Sequence, residues 1–309
     1  MDFNQKILNA LGPFPAKTEP EFEIISSVPK DGYTQHTVRY NVEPGERITA
    51  YLLLPESLKE KNPAILAIHQ HNNEYHIGKS EVIGEGGSAM YRYGVELCQR
   101  GYVVLAPDLL CFEDRIKDEF RGQHESRRMF ERFEFCRYIL NGACLQTKYL
   151  HDLSVAVDIL EGLEYVDKSR IGTVGHSLGG QEATWMMWYD KRLAAGVSSC
   201  GIGQVDTIIR DNISHNLALY VPNFQNIGDV SDIVCGIAPR PFFMTSGLYD
   251  GELFPVDGVK KIIKNAEDKY RELNAESKFR GIVFDGGHSF ADDMKQEVYS
   301  WLDVQLGND

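Results

Sequence analysis

The chain has 309 residues, 43% apolar and 25% charged, which is enough apolar material for a large core but too dispersed along the chain for a membrane span. Lysine and arginine number 32 against 45 acidic residues, and the net charge of -13 repels phosphate backbones and anionic lipid, so neither nucleic acid nor membrane is expected as a partner. The N-terminal MDFNQKILNALGPFPAK lacks a basic segment followed by an apolar one, so the expected location is cytoplasmic. The cysteines (Cys98, Cys111, Cys136, Cys144, Cys200, Cys235) form no CxxC pair and are expected as free, mostly buried thiols.

Residues 33–54 read as two alternating runs, YTQHTVRYNV and ERITAYLLLP, joined by a Pro-Gly turn, the pattern of an antiparallel hairpin at a sheet edge. Short β-branched or apolar runs follow: AILAIH (64–69), YVVLAP (102–107), RIGTVG (170–175), LAAGVSS (193–199), PFFMTSG (241–247) and FRGIVF (279–284). Such runs, each ended by polar residues, glycine or proline, are what parallel strands buried on both faces require. Helical patterns lie between them, among them TKYLHDLSVAVDILEGLEYV, EATWMMWYDKR, DGVKKIIKNAEDKYRELN and FADDMKQEVYSWLDVQL. Strands alternating with helices predict an α/β protein with a parallel sheet covered on both faces.

At roughly 150 residues per domain the length suggests two, but no linker or repeat interrupts the alternation, which favours a single domain over 1–309. Two connections exceed a minimal crossover, the insertions at about 108–141 and 201–238. Both follow the C-terminal ends of strands, where open α/β sheets bind ligands, so both are expected to shape a pocket. In the first, Arg127, Arg128, Arg132 and Arg137 alternate with Glu125, Glu131 and Glu134 at helical spacings, which reads as a solvated, ion-paired face.

The segment RIGTVGHSLGGQEATWMM carries the most chemistry: an apolar strand runs into Gly175-His176-Ser177-Leu178-Gly179 and directly into a helix, the context of a nucleophile elbow. A tight strand-to-helix turn lifts Ser177 above the sheet edge, and the helix N-terminus favours negative charge there. A serine nucleophile needs a histidine base oriented by a carboxylate, in the chain order Ser, acid, His. Asp250 lies in Gly247-Leu248-Tyr249-Asp250-Gly251 past one late strand, and His288 in Asp285-Gly286-Gly287-His288 past the next. We therefore expect His288 as base and acid and Asp250 as its orienting group, with Glu252, Asp257 and Asp285 as weaker candidates for the acid. Oxyanion donors are expected from the backbone N–H of Leu178 and from the loop AIHQHNNEYH, at His71 or its neighbour Gln70. His69, His71 and His76 complete no recognised metal spacing; His69 is expected to pin the loop, and no metal or cofactor is expected. Trp185 and Trp188 are expected as packing residues, and Tyr220, Phe224 and Tyr249, with His69 and Gln70, as further pocket residues.

These motifs resemble the α/β-hydrolase superfamily, within it the dienelactone-hydrolase-like and acetyl-xylan-esterase-like serine esterases. The similarity runs through VEPGERITAYLLLP, AILAIHQHNN, RGYVVLAPD, GHSLGG, SDIVCGIAPRPFFMTSGLYDGELFP and FDGGHSF, most of the chain. The resemblance implies a mostly parallel eight-stranded sheet with an N-terminal antiparallel edge hairpin. It also implies a triad of Ser177, Asp250 and His288, with an oxyanion hole from Leu178 and His71. Dienelactone hydrolases proper carry a cysteine where this chain has Ser177, which speaks against a dienelactone substrate. Deacetylase-like members show H-G-Y-x-G and S-Q-G-G where this chain has His69-Gln70-His71-Asn72-Asn73 and Ser177-Leu178-Gly179-Gly180, so sugar deacetylation is one option among several. The expected activity is hydrolysis of small carboxylic esters, short acyl or acetyl esters by resemblance, through an acyl-enzyme on Ser177. The alternatives are an acyltransferase using the same triad and a non-catalytic binding protein on the same fold.

Overall fold

A computed structural model describes residues 1–308. Nine strands form one sheet: β1 (Glu23–Lys30), β2 (Tyr33–Glu43), β3 (Glu46–Pro55), β4 (Asn62–Ile68), β5 (Val103–Pro107), β6 (Val166–His176), β7 (Ala195–Ser199), β8 (Phe242–Gly247) and β9 (Phe279–Phe284). Their order is β1-β2-β3-β5-β4-β6-β7-β8-β9. Pairing is antiparallel from β1 to β5 and parallel from β5 across to β9.

Period-two alternation divides the core between the two faces of the sheet. Ala64, Leu66 and Ile68 of β4 pack into one cluster with the helices Leu145–Gly162, Leu178–Tyr189 and Val256–Glu272. Ile65 and Ala67 point the other way, into a second cluster with the helices Tyr93–Gln99 and Asp292–Leu306. Strands covered on both faces are near-continuous apolar runs, which is why β4 beyond Asn62 and β5 are apolar, buried throughout and readable from the sequence.

The expected eight strands are corrected to nine. The additional strand, β1, has the sequence EIISSVPK, and every residue in it is exposed. It has no buried face to impose an alternation, it carries a register shift between Ile24 and Ser26, and Pro29 is tolerated because the strand lies at the sheet edge. No helix among the described residues is long and apolar enough to cross a membrane.

β5 and β6 flank β4 on opposite sides, so the chain changes direction in the sheet there. A crevice opens outside the C-terminal ends of the strands at such a point. The loops after β4, β6, β8 and β9 all leave from that end. The segment 108–141 contains the 17-residue helix His124–Leu140, and the segment 201–238 contains the short helices Val205–Arg210 and Val230–Cys235.

Candidate active site

At the end of β6, Ser177 takes φ 54 and ψ -121, a conformation that costs a non-glycine residue about 1–3 kcal/mol and persists only where its surroundings force it. Its N–H donates to the Ser199 carbonyl at 2.8 Å, and its own carbonyl accepts from Gln181 N–H at 2.9 Å as the helix Leu178–Tyr189 begins. The flanking glycines allow the turn to close. A Cβ on Gly179 would sit 1.9 Å from the Ile68 carbonyl oxygen of β4, and one on Gly175 would sit 2.1 Å from the Gly179 oxygen.

The loops after β8 and β9 are tied together through their backbones. Leu248 N–H donates to the Phe284 carbonyl and Tyr249 N–H to the Gly286 carbonyl, each at 2.9 Å. This brings Asp250 Oδ2 to 2.8 Å from His288 Nδ1, with the Asp250 side chain 3% exposed and that of His288 22% exposed. The other acids are not so placed: Glu252 and Asp285 are exposed, and Asp257, also exposed, is paired with Arg210. His176 lies behind the imidazole, with ring centroids 4.7 Å apart, and stacks on Tyr91 at 4.5 Å. Burial, reinforced by His288 and Lys295, holds His176 well below the usual histidine range, so it stays neutral beside His288. Cys200 is pushed up to about 12 by burial, with Asp250 adding to the effect, and is therefore a thiol.

Ser177 and His288 line one cavity of about 670 Å³. The Ser177 hydroxyl makes no hydrogen bond to a described residue, an arrangement common where such a contact tightens only around substrate. His71, Asn72, Asn73 and Tyr75 contribute from the loop after β4, Arg128, Glu131 and Arg132 from the helix His124–Leu140, and Ser214, His215, Asn216, Leu217 and Leu253 from the later loops. Apart from Tyr75 and the two leucines, the lining residues carry polar or charged side chains.

The residues of the loop after β4 have distinct positions. His69 is fully buried, its Nε2 accepts the Leu109 N–H at 3.0 Å, and its Nδ1–H donates to the Gln70 carbonyl at 2.7 Å. Burial pushes it down to about 4, so it is a neutral pin. Gln70 is turned away, with Nε2 donating to both carboxylate oxygens of Glu81 at 3.0 Å. His71 Nδ1 accepts the Asn73 N–H at 2.9 Å, and Nε2–H donates to Glu131 Oε1 at 3.0 Å. The backbone N–H groups of His71 and Leu178 donate to no described group, the state required of oxyanion donors.

Five expected pocket residues are corrected, since none of them lines this cavity. His69 and Gln70 are held inside the fold by the bonds above. Phe224 is buried against Trp185 with ring centroids 5.7 Å apart, and the Tyr220 hydroxyl accepts from His215 N–H at 3.2 Å. Tyr249 is 70% exposed, its backbone already committed to the loop after β9. Trp185 and Trp188 are buried packing residues.

Sequence reasoning missed Tyr75, Glu131, His215 and Asn216. His215 Nδ1 accepts from Asn216 Nδ2 at 2.8 Å, and burial pushes it down to about 4. Glu131 and Glu134, expected on a solvated face, are 4% and 2% exposed: only Arg128 with Glu125 matches the exposed pairing, at 3.0 Å. Of two groups among the described residues compact enough for a cation, Asp108, Glu113 and Asp114 already surround the buried Lys79 ammonium at 2.7–2.8 Å. The other, Cys200, Asp250 and His288, contains the carboxylate–imidazole hydrogen bond.

The family model described as the dienelactone hydrolase family matches residues 48–222, more than half of the chain, and that of the prolyl oligopeptidase family matches 144–307. The Bacillus subtilis protein YtaP, named as a hydrolase, is 30% identical over 308 residues, 98% of each chain. Among solved structures, a glucuronoyl esterase from Solibacter usitatus superposes with a TM-score of 0.70 at 15% identity, over 98% of this chain and 91% of that one. Acetyl xylan esterase 1 from Thermoanaerobacterium superposes with a TM-score of 0.65 at 16% identity, over 99% and 93%. At those identities the structures establish the fold alone, whereas the family match and the full-length relative establish more: this chain belongs to the dienelactone hydrolase family and has the α/β-hydrolase fold.

Proposed function

We propose that this protein is a serine hydrolase of carboxylic esters, acting on short acyl esters of polar, hydroxyl-rich alcohols. The observation that carries the reading is the 2.8 Å contact between Asp250 and His288, whose imidazole shares a cavity with a serine held at φ 54. His288 Nδ1–H donates to the carboxylate, which leaves Nε2 free to take a proton. As Ser177 Oγ attacks the ester carbonyl carbon, its proton passes to Nε2, and the carbonyl oxygen becomes an oxyanion that accepts from the N–H groups of Leu178 and His71. The C–O bond to the alcohol then breaks, and Nε2 returns the proton to the departing oxygen. Water attacks the acyl-serine, with His288 again removing and returning a proton, and the acid leaves.

The lining side chains, among them Asn72, Asn73, Asn216, Arg128 and Arg132 with only two leucines, favour an alcohol with many hydroxyls over a long acyl chain. The solved neighbour named for acetyl xylan esters points the same way. The test is release of p-nitrophenol from p-nitrophenyl acetate, followed by an ester panel of graded acyl length with simple and sugar alcohols. Ser177→Ala should abolish turnover while leaving the fold intact. Turnover that survives this substitution overturns the reading.

A further inference from the structure

We propose that Glu131, on the helix His124–Leu140, is a positioning residue for the oxyanion loop. The inference rests on the esterase reading above and deepens it.

Glu131 is a carboxylate at 4% exposure, and both its oxygens are occupied: Oε1 by His71 Nε2–H at 3.0 Å and Oε2 by the Tyr75 hydroxyl at 2.9 Å. A buried carboxylate that lost these donors would carry a large desolvation cost, so the two contacts hold each other in place. His71 is fixed from its other nitrogen as well, because Nδ1 accepts the Asn73 N–H at 2.9 Å. With Nδ1 an acceptor, neutral His71 carries its proton on Nε2, the atom that faces Glu131. The loop between these contacts is strained: Asn72 and Asn73 both have positive φ, at 40 and 55. The same helix also grips the far end of the loop, where His124 Nε2 lies 2.8 Å from the Asn73 carbonyl.

The backbone N–H of His71 is thus carried on a loop that the β-sheet alone does not fix. His69 anchors the loop where it leaves β4, and the inserted helix anchors the rest. An oxyanion donor acts only when it meets the position of the developing charge, so displacement of a few tenths of an ångström is felt in the transition state and not in substrate binding. Glu131 touches no reacting atom in this scheme. It acts through the His71 ring.

The test measures kcat and KM separately for the wild type, Glu131→Ala, Glu131→Gln and Tyr75→Phe, each checked for an intact fold by circular dichroism and melting. Removing an oxyanion donor outright lowers kcat by about 10²–10³, and a donor that is loosened but present should lose less, about 10–100-fold in Glu131→Ala. KM should change less than threefold. Glu131→Gln retains one acceptor and should be milder, and Tyr75→Phe, which leaves the His71 contact, milder still. Affinity for a boronic acid, which forms a tetrahedral adduct on the serine, should fall with kcat, while affinity for the product acid should not. If Glu131→Ala does not fold, Glu131→Gln and Tyr75→Phe carry the test alone. The proposal is overturned by kcat within threefold of the wild type in folded Glu131→Ala, or in Glu131→Gln where the alanine variant does not fold, or by kcat loss without loss of boronic acid affinity. Retained turnover in Ser177→Ala would instead sink the esterase reading beneath it.

Discussion

Replacing Asp250 by asparagine keeps the size of the side chain but removes its charge at a site where that charge is 3% exposed and 2.8 Å from His288 Nδ1. The two states of the reaction feel the loss unequally. On the proposed mechanism His288 enters the reaction as a neutral base whose Nδ1–H needs only an acceptor, which the asparagine oxygen can supply. In the transition state His288 is an imidazolium, and the missing carboxylate leaves that cation without its partner. At an effective dielectric of about 20, opposite unit charges separated by about 3–4 Å attract by about 4–6 kcal/mol. At about 1.4 kcal/mol per decade this is a loss of about 10³–10⁴ in kcat, with little change in KM. An asparagine that turned its NH₂ toward Nδ1 would add to the loss, because the proton would then sit on Nε2 and block acceptance from the serine. The assay is steady-state turnover of p-nitrophenyl acetate, with acyl-enzyme formation followed by burst kinetics to show which step slows. A loss under tenfold would refute the assignment of Asp250, and a severe loss in Glu252→Gln beside it would move the role to that residue.

Two further perturbations test the frame around the site. Gly179→Ala would place a methyl carbon 1.9 Å from the Ile68 carbonyl oxygen, where only backbone could give way, so urea denaturation should show destabilisation of about 3 kcal/mol or more, or no folded protein. A variant with the wild-type midpoint would mean that the elbow is not as tight as described. Glu182, fully buried beneath the elbow, is pushed up to about 8 from its ordinary 4.5 by burial, against hydrogen bonds from Gln146 and Gln181 that act in the opposite direction. Because the folded state holds this proton more tightly than the unfolded chain, its contribution is fully present below about pH 4.5 and is lost as pH rises through about 8. Melting temperatures from pH 5 to 9 should therefore fall less steeply in Glu182→Gln than in the wild type, and parallel curves would refute the prediction.

The parallel strands β4 and β5 were legible because a strand covered on both faces has no choice but to be apolar, and the half-buried edge strand β9 was bounded to the residue. β1 was not, since a strand with every residue exposed obeys no such constraint. The elbow and the two late loops were legible for a different reason. The elbow couples residue type to local backbone geometry, so glycine, serine and the following helix appear together within a few positions. His288 and Asp250 follow strands that could be counted. Helix His124–Leu140 shows where this stops. Its arginines and glutamates are neighbours at three- and four-residue spacing, which describes one helix and says nothing about which face will dock. Tyr75 and His71, the partners that bury Glu131, stand 56 and 60 residues away in the chain.

That division follows the physics of the site. Ser177, His288 and Asp250, the proposed nucleophile, base and orienting acid, sit on turns held by backbone collisions and backbone hydrogen bonds, which tolerate few residue types and therefore leave a local signature. The cavity walls are held by side chains that meet across long stretches of chain: Glu131 with His71 and Tyr75, and Asn216 with Gln181. Any pair of suitable polar residues could do the same at other positions, so the sequence carries no fixed pattern for them. It follows that the reaction type is set by the sheet and its tight turns, while the choice of alcohol and the accuracy of the oxyanion loop are set by the inserted segments. Substitutions in helix His124–Leu140 should then alter which esters are turned over, and how fast, without altering the chemistry by which they are cleaved.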